Sequence, residues 1–150
     1  KYQNGDVYIT PTYKDGRRLF DSGADYVAMD ATGRSGYNDV YKLSQKSIPI
    51  FGDIFSIEQA GPAIDSGCVA LTTALSGYAS DCALSNGPDY TLLGRLINNF
   101  QCTPILAEGR YWEKNQIKKA LDIGAYGVVV GSAITRPRAI TSRLSGVFNE

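Results

Sequence analysis

Residues 65–72 read Asp65-Ser66-Gly67-Cys68-Val69-Ala70-Leu71-Thr72, and the order of residue types in this stretch decides the fold. Gly67 suits the left-handed position that ends a helix. The run after it is apolar without a polar alternation, as in a parallel strand buried on both faces. Asp21-Ser22-Gly23-Ala24 and Asp122-Ile123-Gly124-Ala125 repeat the pattern, and an apolar run follows each. The repeating unit is therefore helix, glycine stop, buried strand.

Working outward from these repeats, the sequence predicts six strands: Val7–Thr12, Tyr26–Ala31, Ile48–Ile54, Val69–Leu75, Thr103–Gly109 and Gly127–Ala133. Helices are expected between and after them at Tyr13–Ser22, Gly36–Gln45, Ile57–Ser66, Asp89–Phe100, Glu113–Ile123 and Pro137–Phe148. Ser56 with Gln59 forms a capping-box signal before the third helix, and Pro137 sits where a first helical residue tolerates proline. Strict β–α alternation implies an α/β domain with a parallel sheet. No linker interrupts it, so residues 1–150 read as a single domain.

A doubly wound nucleotide fold would carry a GxGxxG turn after its first strand. Neither that motif nor a P-loop lysine motif occurs. Polar residues instead close most strands: Thr10 and Thr12, Asp30, Asp53, Thr72 and Thr73, Glu108, Ser132. A (β/α)8 (TIM) barrel gathers its active site in this way, from the carboxyl ends of many strands. Six units in 150 residues fall short of the usual eight units in roughly 250 residues. The chain reads as strands three to eight of a barrel that is incomplete at its N-terminus, with an exposed strand edge at each end.

Composition narrows the chemistry. Fifteen Lys and Arg balance 15 Asp and Glu, and hydrophobic residues make up 43%. That is a globular composition without the basic excess of a nucleic-acid-binding surface. No apolar run reaches the roughly 18 residues of a membrane span, and no secretory signal opens the chain. With no histidine in the sequence, imidazole catalysis and His-ligated metals are excluded from this stretch. Cys68, Cys82 and Cys102 are too far apart for a CxxC pair, and three sparse thiols suit a reduced, cytoplasmic setting.

Asp30, Asp53 and Glu108 each close a strand after an apolar run. A carboxylate partly desolvated at a barrel mouth has its pKa raised toward the range useful for proton transfer; a helix cap or structural ion pair is the plainer alternative. Gly109, Gly131 and Ser132 occupy loops where barrels bind phosphate through backbone N–H groups, and Arg136 offers a bidentate contact. The same glycines would also suit tight turns. Ser76–Pro88 is a long connection, either a binding loop or an insertion.

Several strings occur together in order: Val7-Tyr8-Ile9-Thr10-Pro11-Thr12, Ala28-Met29-Asp30-Ala31-Thr32, Leu75-Ser76-Gly77-Tyr78, Ala107-Glu108-Gly109-Arg110 and Val130-Gly131-Ser132-Ala133-Ile134-Thr135-Arg136-Pro137. Along essentially its whole length the chain resembles the bacterial N-acetylmannosamine-6-phosphate 2-epimerases of sialic-acid catabolism. The resemblance implies a (β/α)8 barrel that needs neither metal nor other cofactor. It also implies interconversion of N-acetylmannosamine 6-phosphate and N-acetylglucosamine 6-phosphate, by proton removal and return at C2. Glu108 matches the family's catalytic glutamate and Asp53 a substrate-binding aspartate; Gly109, Gly131, Ser132 and Arg136 match positions that hold the phosphate. Asp30 joins them as a candidate substrate-binding residue. A homodimer is implied, with an amino-sugar phosphate as ligand and no nucleic-acid or membrane partner.

The sequence departs from the family in five places. The catalytic lysine of a Lys-x-x-Tyr setting aligns ahead of residue 1, and Lys1 is out of register for it. The family's N-terminal segment, with its substrate-binding Gln and Arg, has no counterpart. Gly52-Asp53-Ile54 stands where Ala-Asp-Ile is usual. Gly67-Cys68-Val69 replaces a Gly-Ala pair followed by an acidic residue, and Gly33–Tyr37 lacks an Arg-Pro pair. Another sugar-phosphate or aldolase-like barrel, and a non-catalytic sugar-phosphate-binding remnant, are the alternatives.

Overall fold

The computed structural model describes residues 10–33, 37–78 and 87–146. In chain order the elements are α1 (Tyr13–Asp21), β1 (Val27–Asp30), α2 (Tyr37–Ser44), β2 (Ile50–Asp53), a 3₁₀ turn (Ile57–Gln59) running into α3 (Ala60–Asp65), β3 (Cys68–Thr72), α4 (Tyr90–Asn99), β4 (Ile105–Glu108), α5 (Lys114–Ile123), β5 (Gly127–Val129), α6 (Ser132–Thr135) and α7 (Pro137–Ser145). The strands form one parallel sheet in the order β1-β2-β3-β4-β5. Residues 7–9 of the expected strand Val7–Thr12 lie outside the described residues, and the first strand among the described ones begins at Val27, so Thr10–Thr12 are not part of a strand. Thr12 caps α1 by accepting the Asp15 N–H at 3.2 Å. Nearby, the Thr10 carbonyl accepts from the Asp30 N–H at the edge of β1.

The glycine stops behave as their sequence pattern predicts. Gly23, Gly67 and Gly124 have φ of +99°, +106° and +111°, a region open to glycine at little steric cost. After α5, the Gly124 and Ala125 N–H groups return to the Leu121 and Ala120 carbonyls. At helix starts, Gln59 Oε1 accepts from the Phe55 and Ser56 N–H groups. Gln116 does the same for Trp112 and Glu113.

Parallel pairing places registered neighbours on one face of the sheet. One face carries Val27, Met29, Ile50, Leu71, Ile105 and Ala107, all buried against Val40, Leu43, Ala63, Leu93, Leu96 and Ala120 of the helices. On the opposite face, Ala28, Phe51 and Ala70 stand in one row, and Asp30, Asp53 and Thr72 in the next row toward the carboxyl ends. Sequential strand order with helices packed on a single face is barrel geometry; a doubly wound sheet is covered on both.

Two strands end well before expectation: the one expected over Val69–Leu75 stops at Thr72, and the last one departs further. The strand expected over Gly127–Ala133 ends at Val129, and Ser132–Thr135 form a short helix. The Gly131 carbonyl accepts from the Ile134 and Thr135 N–H groups at 2.9 and 3.0 Å. An apolar run that satisfies its backbone locally in this way has no need of a strand partner. Among the described residues, no helix is long and apolar enough to cross a membrane.

Candidate active site

A cleft of about 370 Å³ opens at the carboxyl ends of β2, β4 and β5. Asp53 and Glu108 reach it from two strands. Gly109 follows directly, and Gly131, Ser132 and Arg136 line it from the segment after β5. Six of the seven residues singled out in the sequence therefore converge. Asp30 does not line the cleft. It is Asp53's neighbour in the sheet, and its carboxylate accepts the Thr32 N–H at 2.9 Å and the Thr32 hydroxyl at 2.6 Å.

Asp53 is buried, with 4% exposure, and its Oδ1 accepts the Thr72 hydroxyl at 2.7 Å. The same hydroxyl accepts the Ala74 N–H at 3.1 Å, which fixes its direction. Burial chiefly, and then the charge of Glu108, push the Asp53 carboxyl up to about 8, with the Thr72 hydrogen bond acting in the opposite sense and Asp30 adding a smaller upward push. Burial likewise raises Glu108, moderated by the Thr72 hydroxyl. The two acids are thus coupled. Burial, reinforced by the charge of Glu108, favours the protonated form of Asp53.

Glu108 is held by its own backbone. Its N–H donates to the Thr73 hydroxyl at 2.9 Å, and its carbonyl accepts from that hydroxyl at 2.8 Å. Gly109 then turns the chain at φ +100°. A side chain there would meet the Thr73 and Ala74 carbonyl oxygens at 3.6 Å.

Four lining residues, Tyr78, Arg110, Tyr111 and Trp112, were not among the sequence candidates. Arg110 donates to the Gly87 carbonyl at 2.7 Å and to the Ser76 carbonyl, and it lies over the Tyr78 ring at 5.5 Å. Ser76 in turn donates to Asp89 Oδ2 at 2.6 Å, while Asp89 Oδ1 caps α4 at the Leu92 N–H. The signal available was proximity: three of the four follow Glu108-Gly109 without a break.

The family model described as "NanE: Putative N-acetylmannosamine-6-phosphate epimerase" matches residues 1–150. The chain belongs to this family. A relative with the matching designation in Caldanaerobacter subterraneus subsp. tengcongensis is 39% identical over 158 residues, covering 100% of this chain and 66% of its own length. One from Clostridium perfringens is 36% identical over 98% of this chain and 69% of its own length. One from Clostridioides difficile is 34% identical over 95% and 66%. The solved N-acetylmannosamine-6-phosphate 2-epimerase of Clostridium perfringens superposes with a TM-score of 0.85 at 35% identity, over 98% of this chain and 66% of that one. The chain thus spans about two thirds of these relatives, and its five described strands are part of a (β/α)8 barrel.

Proposed function

We propose that the cleft is the proton-transfer and phosphate-binding site of an epimerase acting on N-acetylmannosamine 6-phosphate and N-acetylglucosamine 6-phosphate. One observation carries this reading: two coupled carboxyl groups face, across a single cleft, the Gly131–Ser132 segment and Arg136. Ionised Glu108 takes the proton from C2, the electron pair moves toward the adjacent carbonyl, and a proton returns to C2 on the opposite face. The resemblance implies that Glu108 shares this acid–base work with the lysine of a Lys-x-x-Tyr setting. Desolvation raises Glu108 toward the pH at which it both accepts and releases a proton. Asp53, still protonated, serves as a hydrogen-bond donor to a substrate oxygen. Gly131, Ser132 and Arg136 hold the phosphate, as do loops and a short helix at this place in other barrels. A homodimer, a cytoplasmic location and a place in sialic-acid catabolism belong to the same proposal.

The test is deuterium incorporation at C2 of either sugar phosphate in D₂O by the full-length protein. Glu108→Gln should lose about 10²–10⁴-fold in turnover while retaining affinity for N-acetylglucosamine 6-phosphate. Turnover of Glu108→Gln within a few-fold of the unaltered chain would remove Glu108 from the chemistry. Phosphosugar binding without C2 exchange would favour a barrel of other function.

A further inference from the structure

We infer that Thr73 is a positioning residue for Glu108, its hydroxyl standing in for a missing rung of the sheet between β3 and β4. The inference rests on the reading of Glu108 as the base. The ladder can be followed atom by atom. The Thr73 N–H donates to the Leu106 carbonyl at 3.3 Å. In a parallel pair the next bond runs from the Glu108 N–H back to the Thr73 carbonyl. Here that carbonyl has turned away from the ladder: it accepts the Ser76 N–H at 3.1 Å where the chain leaves the sheet, and the Glu108 N–H goes to the side chain instead.

The Thr73 side chain supplies the missing acceptor. Its oxygen takes the Glu108 N–H at 2.9 Å and its proton goes to the Glu108 carbonyl at 2.8 Å. The hydroxyl of Thr73, a residue only 2% exposed, so satisfies both polar groups of the Glu108 backbone after β3 has left. The arrangement resolves a conflict of geometry. β3 must turn early to bring Ala74 and Tyr78 to the cleft, whereas β4 must stay in register one residue longer to aim Glu108. Thr72 and Thr73 divide the work: the first hydroxyl holds the Asp53 carboxyl and the second the Glu108 backbone. β3 thereby sets the separation of the two acids.

The test compares Thr73→Val, which keeps the branched shape without the hydroxyl, with Thr73→Ser, which keeps the hydroxyl. In the full-length protein, Thr73→Val should lower kcat for C2 exchange by about 10–100-fold, since small displacements of a catalytic group cost about that much. KM should stay within about threefold, because the phosphate end is untouched. Thr73→Ser should restore most of kcat. Amide hydrogen exchange at the Glu108 N–H should quicken in Thr73→Val and not in Thr73→Ser. Unimpaired turnover in Thr73→Val, equal impairment in both variants, or a Glu108 amide indifferent to the hydroxyl would each overturn the inference. If Thr73→Val fails to fold, Thr73→Ser decides: a protected amide and near-normal kcat support the clamp, their loss refutes it. If the unaltered full-length protein exchanges C2 of neither sugar phosphate, the reading of Glu108 as the base fails, and amide exchange judges the clamp separately.

Discussion

The two faces of the sheet are built from the same strands and answer to different demands. On the helix-covered face, Met29, Ile50 and Leu71 are fully buried, and what matters is fit. On the opposite face the carboxyl-end row holds Asp30, Asp53 and Thr72, and what matters is charge and its direction. Val69 on β3 remains 48% exposed while its neighbour in sequence, Cys68, is buried. Burial is therefore assigned residue by residue along a strand by the pleat. The covered face bears the stability of this chain, and the other face carries costs for the sake of chemistry.

Arg136 probes the far wall of the cleft. Arg136→Ala should weaken N-acetylglucosamine 6-phosphate by about 1.5–3 kcal/mol, the range for a hydrogen bond to a charged group, and unphosphorylated N-acetylglucosamine much less. Calorimetric titration of both ligands checks this, and equal losses would place Arg136 away from the phosphate.

Gly52 probes the covered face. A Cβ there would lie 2.8 Å from the Cys68 sulfur and 3.1 Å from Ala31 Cβ. Gly52→Ala should cost about 1–3 kcal/mol of overpacking strain. Cys68→Ala in the same chain should recover most of it, because the sulfur is the nearest obstacle. The double-mutant cycle by urea unfolding measures this coupling. Gly52 and Cys68 are then one packing unit. The Cys68 thiol, pushed up to about 12 by burial and by Asp53, is a packing group and not a reactive one.

The smallest effect concerns Asp53 and pH. Its carboxyl is held at about 8 when folded, against 3.8 for an ordinary aspartate. Between those values the folded chain holds a proton that the unfolded chain has released, so stability falls as pH rises through this window. Asp53→Asn cannot ionise. Its Tm should fall less than that of the unaltered chain between about pH 5.5 and pH 8.5; parallel declines in both proteins would show that Asp53 is not held protonated.

The contrast between faces also explains what the sequence disclosed. The glycine stops and the buried strands were legible because each is a local signal repeated along the chain. Asp53 and Glu108 were legible because a carboxylate after an apolar run is conspicuous. The end of β5 was misread because Ala133-Ile134 continues the apolar run, and nothing local shows that the Gly131 carbonyl will close a helical turn. Thr73 stood in plain view as a strand-end threonine. Its task depends on where Ser76 turns and on Glu108, 35 residues further along the chain, which no local pattern encodes. Arg110 was missed for the same reason, since its partners are carbonyl groups at positions 76 and 87.

Asp89 links the rim of the cleft to the frame beneath it. One oxygen caps α4 and the other holds Ser76, so the first turn of a helix and the rim share a single carboxylate. Releasing the rim weakens the helix start, and fraying the helix frees the rim. The two segments form one cooperative unit of local opening. Their amides should exchange with solvent at matched rates, slowing together when the cleft is filled.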